Sequence, residues 1–162
     1  MNKMVTALTG VFLMAGSGLS FAQVFTPGLY DAPSTLEAFR SVGSAEQVDG
    51  KNVEGSIEAP DGQALPYTAE LMLCENDGKC SNILVRHSWE APRDDMVRCV
   101  LDAWPEPQKY GSSANFNFSG VRFIKDVTGD EGSKDAPSIQ DIAQSWKAEL
   151  LEFHALTQSG KC

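Results

Sequence analysis

Cysteine and histidine are the side chains whose types and spacing could do chemistry here. Cys74 and Cys80 are separated by Glu-Asn-Asp-Gly-Lys, and His87, Cys99, His154 and Cys162 follow. Three chemistries are open to the cysteines. A thiol–disulfide couple would want the C-x-x-C spacing that tunes thiolate reactivity, whereas five residues stand between Cys74 and Cys80. A zinc site from Cys74, Cys80, His87 and Cys99 would want a tighter knuckle than this one. Structural disulfides need only an even number of cysteines and an oxidising compartment.

The remaining candidates are weaker as chemistry. His87 falls among apolar residues and reads as a hydrogen-bonded imidazole at a core margin rather than a general base. His154 reads as a rim residue on the last helix. With two histidines and no G-x-S-x-G, a Ser-His-Asp or Cys-His nucleophile has little to draw on. Asp126, Asp130, Glu131 and Asp135 gather around a glycine-containing loop, but without the alternating ligand spacing of an EF-hand. They read as a solvated acidic loop, so no catalytic, cofactor-binding or metal-ligating residue is assigned.

The oxidising compartment follows from the start of the chain. Residues 1–22 read as a secretory signal peptide, with Lys3, a largely apolar run over 4–13, and Ser20-Phe21-Ala22 before cleavage at Gln23. That run is shorter than the roughly 20 residues needed to span a bilayer. Loss of Lys3 with the leader leaves 12 basic and 22 acidic residues, taking the formal charge from −9 to −10. An acidic domain repels phosphate backbones and anionic head groups, which argues against nucleic-acid and membrane partners. The charge reads as a solubility device, or as an acidic face for a basic partner.

The elements that must position these residues follow from periodicity. Runs 67–73 and 81–89 alternate like strands, and the cysteine loop between them reads as a hairpin tip. Opposing Cys74 to Cys80 sets Leu73 against Ser81, Met72 against Asn82, Leu71 against Ile83, Ala69 against Val85 and Tyr67 against His87. Tyr67, Ala69, Leu71, Leu73, Ile83, Val85 and Trp89 then share one apolar face, with the cysteines on the other. Opposed Cα atoms lie roughly 4.5–5.5 Å apart, within a disulfide's reach. Of the three possible connectivities this geometry favours Cys74–Cys80, which leaves Cys99–Cys162 by elimination.

Elsewhere, 34–42 reads as a helix capped by Ser34, and strands are expected around Val48 and over 53–57. A helix over 94–104 carries Met96, Val97, Val100, Leu101 and Trp104 on one stripe, with Cys99 at its flank, and Pro105 and Pro107 end it. The run 113–127 changes parity at Ser119-Gly120, which predicts a two-residue turn there, with Phe118 facing Val121 and Phe116 facing Phe123. After an acidic loop over 129–137, Ser138 caps a helix over 139–157 whose stripe is Ile139, Ile142, Ala143, Trp146, Leu150 and Phe153. The whole describes one domain over 34–157, with a lead-in segment at 23–33 and a tail at 158–162 that carries Cys162.

Three stretches, LMLCENDGKCSNILV at 71–85, AWPEPQKYG at 103–111 and IAQSWKAELLEF at 142–153, come in an order that resembles the YbjN-domain family, labelled as bacterial sensory transduction regulators. The resemblance covers 34–156. It implies an α+β fold, an antiparallel β-sheet flanked by helices and similar to type III secretion chaperones, with no enzymatic activity and no cofactor. The expected function is a non-enzymatic periplasmic binding or regulatory module acting through a protein partner. The second reading is a periplasmic inhibitor or immunity protein that blocks a hydrolase or toxin.

Overall fold

Alternation in the central strands decides the architecture. The computed structural model describes residues 29–107, 110–118, 120–129 and 135–162; the leader at 1–22 and most of the acidic loop lie outside them. In chain order the elements are α1 (Ala32–Arg40), β1 (Ser44–Gln47), β2 (Asn52–Glu58), β3 (Ala64–Cys74), β4 (Cys80–Glu90), α2 (Asp94–Ala103), β5 (Ser113–Asn117), β6 (Gly120–Thr128) and α3 (Ile139–Gln158). The strands form one antiparallel six-stranded sheet in the order β1-β2-β3-β4-β6-β5. This is an α+β fold.

One face of the sheet is apolar and buried: Val53, Ile57, Leu65, Tyr67, Ala69, Leu71, Ile83, Val85, Val121, Phe123 and Val127. Phe39 of α1, Val97 and Val100 of α2, and Ile142, Trp146, Leu150 and Phe153 of α3 complete the same core. At its centre Phe123 stacks on Phe153 at 4.6 Å, with Trp104 edge-on to Phe123 at 4.8 Å. Side chains of the opposite parity, among them Glu54, Glu70, Arg86, Arg122 and Asp126, are polar and face away from the helices. Arg86 pairs with Glu70 across two strands at 3.1 Å.

The expected hairpin register holds, with Cys74 opposite Cys80 and Leu71 opposite Ile83. Leu73 is the exception. Its backbone is left-handed (φ 54), which breaks the alternation and leaves its side chain 71% exposed instead of on the apolar face. α1 begins earlier than expected, because Asp31 rather than Ser34 is its cap and accepts from the Ser34 N–H at 2.9 Å. Just before it, the buried Tyr30 exchanges both backbone hydrogen bonds with Cys80, so the end of the lead-in segment joins the core. Val48 lies beyond β1 and is 56% exposed rather than a strand centre. Trp104 leaves α2 in an extended conformation, which ends that helix one residue early. At the other end of the chain, Ser138 and Asp141 cap α3 reciprocally, as a capping box.

The β5–β6 turn corrects the sequence reading most. Asn117 opposes Gly120 and Phe116 opposes Val121, so the turn lies one residue earlier than Ser119-Gly120, and Phe116 does not face Phe123. Gly120 serves close packing instead: a Cβ there would sit 1.9 Å from the Trp89 carbonyl oxygen of β4. Phe116 and Phe118 are 67% and 94% exposed.

Candidate functional site

All four cysteines are paired, Cys74 with Cys80 and Cys99 with Cys162, at Cα separations of 3.8 and 5.4 Å. No thiolate is left for zinc or for nucleophilic attack. The first bridge closes the β3–β4 tip, just after the left-handed Leu73. The second ties α2 to the residue that follows Lys161. The first clamps the ends of two strands, and the second fastens the tail after α3 to the middle of α2.

The two histidines meet at the β2–β3 end of the sheet. His87 is buried and its Nδ1–H donates to the Pro66 carbonyl at 2.7 Å. His154 of α3 is also buried, and its Nε2–H donates to Asp61 at 2.9 Å. Burial, with the nearby His154, pulls the His87 pKa below its ordinary 6.5, against the raising effect of the Pro66 bond. Asp61 is held below 3.8 by the Gln63 backbone N–H first and by His154 second. In neither histidine does the arrangement make an acid–base pair aimed at open space.

These shifts fix a sign. The unfolded chain binds a proton at His87 near pH 6.5, while the folded chain resists it until a lower pH. Stability is therefore full above about 6.5 and falls as the pH drops through the window beneath it, by at most about 1.4 kcal/mol per pH unit. Asp61 adds a second loss only below 3.8. Urea unfolding at pH 7.5 and 5.5 checks this. A His87→Gln chain, which keeps a donor for Pro66, is expected to flatten the difference; an unchanged difference would assign it to other groups.

Periodicity marked the β5–β6 hairpin but not the exposure of its aromatic residues. β5 closes one end of the sheet, so among the described residues its outer N–H and C=O groups have no strand partner. Its sequence, Ser-Ala-Asn-Phe-Asn, carries neither charge nor proline. Natural edge strands are usually guarded by such residues, and β1 at the opposite edge carries Glu46. Phe118 at the tip is left-handed (φ 41), a conformation that costs a bulky side chain about 1–2 kcal/mol. Packing does not offset that cost, because the ring is 94% exposed. Only the parity shift at Ser119-Gly120 hinted at this arrangement.

A cleft of about 500 Å³ lies between the α2–β5 connection and α3. Lys125 of β6 is at its floor, 1% exposed, and its Nζ donates to Glu149 of α3 at 2.8 Å and to the Tyr110 carbonyl. The other Glu149 oxygen accepts from the Ser112 N–H at 2.8 Å, and the Trp104 indole N–H donates to the Ser112 carbonyl at 2.9 Å. Sequence reasoning passed over Lys125 and Glu149. A lysine at a buried register position, with a glutamate near the stripe of the facing helix, was the available signal.

Asp130 and Glu131 of the acidic loop lie outside the described residues, and Asp135 is exposed. Among the described residues no group of three or more His, Cys, Asp or Glu is placed to hold a metal ion. No described helix is long and apolar enough to cross a membrane. No family model, curated protein sequence or solved structure matches the chain. The likeness to the YbjN-domain family thus rests on the three sequence stretches quoted for it.

Proposed function

We propose that this chain is a non-enzymatic binding or regulatory module of the bacterial periplasm, and that it docks a segment of a protein partner on the β5 edge. The observation that carries this reading is the exposure of Phe116 and Phe118 on and beside an uncharged edge strand with no outer strand partner among the described residues. An extended segment adding to β5 would gain backbone hydrogen bonds, with side chains of one parity packing on Phe116. The paired cysteines fit an oxidising compartment. The buried bonds of His87 fit a module without general acid–base chemistry. The inhibitor reading draws on the same hairpin: a tip stiffened by its strands, with Phe118 outermost, loses little entropy when it fills a partner's cleft.

The test compares the chain with a Phe116→Ser/Phe118→Ser variant. Exposed substitutions shift folding stability by about 0.5 kcal/mol or less, so unfolding should hardly change. Partners captured from a periplasmic extract and identified by mass should weaken by about 2 kcal/mol or more, roughly thirtyfold in Kd. In the complex, β5 amides should exchange with deuterium more slowly. An identical set of captured proteins from both chains would sink the reading.

A further inference from the structure

We propose that the cleft over Lys125 binds a short basic peptide, with a peptide carbonyl at its floor and a cationic side chain at its mouth. The floor is short of an acceptor. A lysine ammonium has three N–H donors, and among the described residues Lys125 donates to two acceptors, the Tyr110 carbonyl and Glu149. Ser112, which also lines the cleft, is 3% exposed, and its Oγ has no hydrogen-bond partner among the described residues. Buried polar groups are normally satisfied. Two incompletely satisfied ones along the same cleft call for an oxygen supplied from within it.

The mouth carries the opposite demand. Of the carboxylates lining the cleft, Glu149 is matched by Lys125, and Asp141 is engaged with Ser138 in the α3 cap. Glu106 and Glu152 are exposed and form no ion pair among the described residues. They repel an anionic ligand, while the ammonium at the floor repels a bare metal ion. Trp104, Pro105 and Pro107 supply a stiff apolar wall, suited to the methylene stem of an arginine or lysine whose head reaches the rim. The volume falls within the range of about 300–1,000 Å³ typical of small-ligand sites. One ligand class meets all of these demands: an amide oxygen and a positive charge separated by an apolar stem.

Titration at low salt with acetyl-Ala-Arg-amide, and with its uncharged citrulline counterpart, tests this by ¹⁵N–¹H correlation spectra. The arginine peptide should shift the Trp104 indole N–H and the Ser112 and Glu149 amides. The citrulline peptide should bind roughly tenfold weaker, the scale of two exposed ion pairs. Glu106→Gln/Glu152→Gln should bring the arginine peptide down to the citrulline affinity, while Ser112→Ala should weaken both peptides alike. Phe116→Ser/Phe118→Ser should leave this binding unchanged, which separates it from the β5 reading. Equal affinity for the two peptides, shifts confined to the β5–β6 tip, or no shift at all would overturn the proposal.

Discussion

A Glu149→Ala chain is expected to lose about 3–5 kcal/mol of folding stability, the usual cost of stranding a buried charge. The carboxylate it removes neutralises Lys125, which is 1% exposed, and also holds the Ser112 N–H. Glu149 itself is 24% exposed, so water reaching the gap brings the loss toward the lower end of that range. A Lys125→Met/Glu149→Leu pair should recover most of it, because a buried ion pair gains little over well-packed apolar groups of similar size. Urea midpoints at constant m-value measure both. Should the double variant be as unstable as the single one, the pair would be doing something other than neutralising itself. Hydrogen exchange adds a local readout: with Glu149 gone, the amide of Ser112 should exchange faster, since that carboxylate is its acceptor.

Removing the Cys99–Cys162 bridge by alanine should cost about 4 kcal/mol, against about 2.4 kcal/mol for Cys74–Cys80, if loop-closure entropy dominates. The difference comes from sequence separation, 63 against 6. The longer bridge joins α2 to the end of the described chain and restrains the unfolded ensemble over β5, β6 and α3 together. Chemical denaturation of C99A/C162A and C74A/C80A gives the order. A reversed order would mean that the β3–β4 clamp acts on the folded state, through the Tyr30–Cys80 pairing that it borders.

How much of this was legible in the sequence depended on how far the determining contact lay along the chain. The β3–β4 register was readable because two cysteines and an alternating pattern within one hairpin agree. α3 was readable because its stripe and its cap are both local. The α1 boundary was misplaced: Asp31 and Ser34 are both good cap residues, and Pro33 in the first turn, with Tyr30 paired to Cys80 just before it, goes with Asp31. The β5–β6 turn was misread because Gly120 looks like a turn residue, and its real constraint is the Trp89 backbone 31 residues away, counted from 89 to 120. Lys125 and Glu149 are separated by 24 residues, so periodicity could mark each position but not their pairing.

The strand order has one further consequence. β1, β2 and β3 pair only with sequence neighbours, whereas β4 also pairs with β6, which inserts between β4 and β5 although β5 comes first. A chain delivered from its N-terminus can zip four strands as they appear, but the far edge of β4 must wait for residues 120–128. Until α2, the second hairpin and α3 arrive, the half-built sheet offers an open template edge and an uncovered oily face. Non-local pairing is slow to form, and intermediates of this kind aggregate. Delivery of residues 94–162 therefore competes with the association of half-built sheets.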